Sequence, residues 1–181
     1  MSVAQTKLMT ADELMEMPGD GFHRYELVRG ELIEMSPSGA EHASIAARII
    51  RHLAPYVDAQ KLGETYAAEG GFIISRDPDT IFAPDVGFVR ADRVVKTKKF
   101  FPGPPDLAVE VISPNDSYSE VNANVWEYLR AGTRMVIVID PEKEYARIQT
   151  PTEAHDLTID DALSGGDVVP GWTLPLRELF K

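Results

Sequence analysis

Two short runs that are almost wholly apolar, DLAVEVIS at 106–113 and MVIVID at 135–140, are joined by DSYSEVNANVWEYLRAG at 116–132. Runs this short and this rich in Val and Ile read as strands buried on both faces, because a half-buried strand would alternate apolar and polar residues. The joining segment repeats Val121, Val125 and Leu129 at four-residue spacing and stops at Gly132, the pattern of an amphipathic helix with a glycine end. Strand, helix, strand is a crossover, and a crossover connects parallel neighbours in one sheet. The chain must therefore build a sheet that is covered by helices.

The remaining segments extend that sheet. TADELMEMPGDG offers Thr10 and Glu13 as a capping box for a short helix, with Pro18-Gly19 as its stop. HRYELVRGELIEM alternates around Arg29-Gly30 and predicts a β-hairpin, with Glu26 and Glu31 on its arms. SPSGAEHASIAARIIRHLAPYVDAQKLG predicts a helix capped by Ser38 and Glu41, with Ile45, Ile49, Leu53 and Val57 on one stripe; Pro55 is expected to bend or end it. GGFIIS and FAPDVGFV read as strands, and EYARIQT as a strand returning antiparallel after the turn at Pro141. The tail DALSGGDVVPGWTLPLRELF reads as a closing hairpin with a terminal helical turn. The expected architecture is a mixed β-sheet flanked by helices, of α/β or α+β class, with an N-terminal hairpin and a single domain over 1–181.

Composition narrows the chemistry. The 181 residues include no cysteine, so a disulfide framework, a thiolate zinc site and a cysteine nucleophile are excluded. No apolar run has the length of a membrane span, and the first residues lack the pattern of a signal peptide, so a cytoplasmic protein is expected. With 29 acidic and 18 basic residues the net charge is −11, which opposes non-specific attraction of polyanions. One stretch runs against that balance: RADRVVKTKKFF holds Arg90, Arg93, Lys96, Lys98 and Lys99, either a solvated connection or a phosphate-contacting loop. There is no glycine-rich phosphate loop, since GGF lacks a following Lys-Ser or Lys-Thr. There is no GxSxG elbow, and the four histidines show no i, i+4 pair for zinc. Trp126, Tyr128, Phe100 and Phe101 are read as packing residues, with the two phenylalanines the better placed to touch a partner.

Glu110, in the middle of DLAVEVIS, is the misfit. An ionised carboxylate among buried apolar neighbours costs several kcal/mol, roughly, unless it is paired, hydrogen-bonded or bound to a metal. Asp85, in FAPDVGFV, precedes a second apolar strand about 25 positions earlier, and sheet pairing can set the two side by side. Mg2+ takes oxygen ligands, commonly one or two carboxylates with waters and phosphates. A metal between Asp85 and Glu110 is one solution; a turn-capping Asp85 and a Glu110 paired with Arg24 or Arg134 is the other.

The order of these pieces resembles the Uma-type family of restriction-endonuclease-like proteins, placed in the PD-(D/E)XK nuclease superfamily. The resemblance runs from about Met9 to Pro141, through YELVRGELIEMSP, EHASI, APDVGFV, PPDLAVEVISP, EYLRAG and MVIVIDP. It implies a restriction-endonuclease-like fold and a Mg2+- or Mn2+-dependent endonuclease, a hydrolase acting on DNA, with a homodimer as an expectation. It also implies that Asp85 and Glu110 are metal ligands, with the Val111 carbonyl a third. Glu26 matches a recurring acid near the metal, and His42 a recurring histidine that is either an accessory site residue or a packing residue. Lys96, Lys98 and Lys99 are the expected nucleic-acid contacts.

The chain departs from the superfamily pattern at one point. The lysine two positions after the glutamate is Ile112; the helix position that carries it in Uma-type members is Asn124, with Glu120 one turn earlier. Asn124 can donate a hydrogen bond but carries no charge, and losing one such electrostatic partner costs on the order of a hundredfold in turnover. Two expectations follow, a nuclease with a degenerate lysine site or a catalytically inactive nuclease-fold binding or assembly module.

Overall fold

The structure is a computed structural model that describes residues 8–18, 24–114 and 116–181. Helix α1 (Ala11–Glu16) is capped by Thr10 and Glu13 in the reciprocal box read from the sequence, and Gly19 lies outside the described residues. Strands β1 (Arg24–Val28) and β2 (Glu31–Met35) form the hairpin, with Arg29 and Gly30 both at positive φ, as a two-residue turn matched to strand twist requires.

Helix α2 (Ala40–Gln60) differs from expectation at its start. Its cap is Gly39 without a side-chain bond, so Glu41 falls at the second helical position and the Ser38–Glu41 box does not form. Pro55 sits inside the helix without ending it. The proline is exposed, while Leu53 and Val57 beside it are completely buried; that packing outweighs one lost backbone bond.

Strands β3 (Gly63–Ala67), β4 (Phe72–Ser75), β5 (Thr80–Phe82), β6 (Val86–Arg90) and β7 (Leu107–Val111) follow; β3 and β5 had no clear sequence pattern. Helix α3 (Tyr118–Ala131) leads into β8 (Met135–Asp140), which lies parallel to β7 with Glu110 beside Val138, the predicted crossover. Then come β9 (Tyr145–Gln149), β10 (Ala154–Leu157) and the closing hairpin β11 (Ala162–Ser164) with β12 (Thr173–Pro175).

The central sheet has the order β10-β9-β8-β7-β6-β3, and β2-β1-β5-β4 forms a second sheet. On the central sheet, residues 107, 109, 111, 135, 137 and 139 point to α2 and the C-terminal hairpin, forming one apolar core with the Ile45–Val57 stripe. Residues 108, 136 and 138 point the other way, to a core shared with α3 and with Phe72 and Phe82 of the second sheet. Helix α3 is thus wedged between the two sheets, and by alternation Glu110 faces it. Among the described residues no helix is long and apolar enough to cross a membrane.

Candidate active site

Strands β6 and β7 pair antiparallel with Val86 opposite Val109, and the same register carries Asp85 to the position opposite Glu110. Asp85 Oδ2 accepts the Val111 N–H at 2.8 Å, a bond that ties the start of β6 to the end of β7. It also lies 3.0 Å from His42 Nε2, supplied by the first turn of α2. Both side chains are about nine-tenths buried. The His42 Nδ1 atom is buried and makes no hydrogen bond among the described residues. Burial alone would lower the His42 pKa, but Asp85 and the nearby Val111 carbonyl more than reverse this and raise it.

Glu110 finds its partner on α3. Tyr128, fully buried, donates its hydroxyl to Glu110 Oε1 at 2.8 Å. Among the described residues no Lys or Arg pairs with Glu110: Arg24 donates to the Ala68 carbonyl and Arg134 pairs with Asp167, so neither proposed salt bridge forms. Burial, then the neighbouring Asp85 and Glu26 charges, push the Glu110 carboxyl well above the usual carboxylate range. Glu26 reaches the same region from β1. Its Oε1 accepts the Ala83 N–H at 2.8 Å, and burial raises its pKa despite that bond.

The three acids share one arrangement. Each has one oxygen held by a donor of the protein, and among the described residues none of their second oxygens has such a donor. Among the described residues, Lys and Arg form no ion pair with any of the three, and no group of three or more histidines and carboxylates is gathered tightly enough to hold a metal by itself. Hard oxygen donors with one free oxygen apiece suit a cation that keeps several waters, as Mg2+ does.

The other site residues read from the sequence are placed as follows. Ile112 is packed into the core on the α3 side. Asn124 is half-buried and precedes Tyr128 by one helical turn, hence on the same side of α3. Glu120 is not brought to this group: it is exposed, and its carboxylate closes a capping box with Ser117, which the Ser-x-x-Glu spacing could have disclosed. Lys96 and Lys98 are exposed, while Lys99 is paired with Asp12 at 2.9 Å. Arg90 and Arg93 are anchored on buried Asp106, so two of the five cations in the basic stretch are structural. Phe101 is buried against Tyr66 and Phe72. The residue sequence reasoning missed is Tyr128, read only as packing; its position one turn after Asn124 was the available signal.

A restriction-endonuclease-like sheet with acids at the ends of paired β6 and β7 defines a class of nuclease-fold proteins. The chain belongs to the Uma2 family, described as "Putative restriction endonuclease", whose family model matches residues 11–177. Its fold is similar to the crystal structure of "a putative nuclease belonging to DUF820" from Anabaena variabilis ATCC 29413. The two share 21% identity over 95% of this chain and 97% of that one, with a TM-score of 0.83. No curated protein matches the chain.

Proposed function

We propose that this protein is a Mg2+- or Mn2+-dependent nuclease that hydrolyses phosphodiester bonds in DNA. The observation that carries this reading is the β6–β7 register that sets Asp85 opposite Glu110, both acids, like Glu26, held by one oxygen and not balanced by a Lys or Arg among the described residues. Acids so placed repel unless protonated or bridged by a cation. Asp85 and Glu110 would hold the ion, with the Val111 carbonyl as a further donor and Glu26 as an accessory group. When bound, the ion supplies an activated water and shields charge on the scissile phosphate.

The chain's own residues do the remaining work. The Val111 N–H and His42 orient Asp85, and Tyr128 orients Glu110. Asn124 offers a hydrogen bond to a phosphate oxygen at the position where the family resemblance implies a lysine. Lys96 and Lys98 are exposed cations for the DNA backbone, where affinity is salt-dependent. The same proposal takes the protein to be cytoplasmic and dimeric, the latter checked by light scattering. The test is Mg2+- or Mn2+-dependent DNA cleavage by the wild type, lost in Asp85→Ala and Glu110→Ala; equal cleavage by all three would sink it.

The packed Ile112 and the uncharged Asn124 favour a second reading, a nuclease fold retained for binding or assembly without turnover. Asn124→Lys separates the two. Metal-dependent cleavage that appears only in this variant marks a decayed site, whereas cleavage already present in the wild type removes the second reading.

A further inference from the structure

We propose that Tyr128 makes Glu110 a one-oxygen ligand and so sets the site's preference for Mg2+ or Mn2+ over Ca2+. The inference rests on the metal-site reading above and goes past it, to a positioning residue and a choice of cation.

Tyr128 is completely buried between the two sheets, its ring 5.2 Å from that of Phe82 on β5 at an interplanar angle of 59°. Helix α3 holds this ring through the surrounding core, so the hydroxyl has a fixed place above β7. Its bond to Glu110 Oε1 at 2.8 Å leaves Oε2 as the oxygen free for a cation. Asp85 is restricted in the same way, because its Oδ2 already serves the Val111 N–H and His42.

Two carboxylates that each offer a single oxygen match a small octahedral ion that retains its waters. Ca2+ takes six to eight oxygens and commonly grips a carboxylate by both, which a held Oε1 opposes. Removing the hydroxyl while keeping the ring frees Oε1. Glu110 can then turn and bind by both oxygens, which favours the larger ion.

The experiment titrates the full chain with Mn2+ and with Ca2+ by calorimetry, for the wild type, Tyr128→Phe and Phe82→Leu. Wild type is expected to bind Mn2+ more tightly than Ca2+. Tyr128→Phe should weaken Mn2+ by roughly tenfold, the scale for losing a group that orients a ligand, with Ca2+ affinity held or improved. Phe82→Leu, which disturbs the packing of the ring but keeps its hydroxyl, should preserve the wild-type ratio. An unchanged Mn2+ to Ca2+ ratio in Tyr128→Phe, or the same change in Phe82→Leu, overturns the assignment while the metal site stands. Absence of Mn2+ binding by the wild type overturns the metal site and the assignment with it.

Discussion

His42 Nε2 lies 3.0 Å from Asp85 Oδ2, so the first turn of α2 is joined to the start of β6 at the point where β6 meets β7. The bond is inside the protein, with both side chains about nine-tenths buried. Truncation to His42→Ala leaves Asp85 with one donor in place of two and opens a small void. Loss of a buried, charge-assisted hydrogen bond costs about 1–3 kcal/mol. Denaturant unfolding should show a loss in that range, with an unchanged slope.

Stability without metal should fall as pH rises. Glu110 and Glu26 have raised pKa values when folded, so the folded state holds their protons more tightly than the unfolded chain, and stability declines upward from about the ordinary glutamate value of 4.5. His42 is also raised, from 6.5; its contribution is complete below that value and is lost as pH climbs through the folded pKa. Thermal melts in chelator from pH 5 to 8 should show a falling Tm. Glu110→Gln should flatten this curve and raise Tm at pH 8 by a few degrees, about 2–4 °C for each kcal/mol in a chain of this size. A Tm that rises across this range would count against the buried-acid description.

Metal binding should release protons. Glu110 must ionise fully to act as a ligand, so Mn2+ affinity should increase with pH, and calorimetry in buffers of different ionisation enthalpy should report the released protons. At free Mn2+ one hundred times Kd, stability should gain about 2.7 kcal/mol. Asp85→Asn should abolish that gain. Equal heats in all buffers would show that no proton leaves.

Asp106 is the anchor of the basic stretch. It is almost completely buried and holds Arg93 at 2.9 Å and Arg90 at 3.3 Å, while its Oδ2 accepts the Arg90 N–H. Asp106→Ala should destabilise by roughly 3 kcal/mol, the lower end for breaking a buried ion pair. Chemical denaturation measures it. Lys96→Ala with Lys98→Ala should instead leave stability within about 0.5 kcal/mol, as surface substitutions do, and weaken DNA binding.

The crossover through β7, α3 and β8 was legible because apolar period and length are local properties of a strand and a helix. The hairpin turn at Arg29-Gly30 and the Thr10–Glu13 cap were legible for the same reason, since a few adjacent residues suffice for each. Strands β3, β5 and β10 were not, because each is short and lacks alternation; their pairing partners stabilise them. Glu120 had two local meanings, and its engagement with Ser117 rather than with the acids depended on where α3 begins.

From the sequence by itself came the mixed sheet, the buried Glu110 and two strands whose pairing can set it beside Asp85. Only the tertiary structure decided what holds each acid: Tyr128 for Glu110, Val111 and His42 for Asp85, Ala83 for Glu26. Those donors come from two helices and from strand ends far apart in the chain. A hydrogen bond needs both distance and direction, and neither is set until the helices have docked on the sheets.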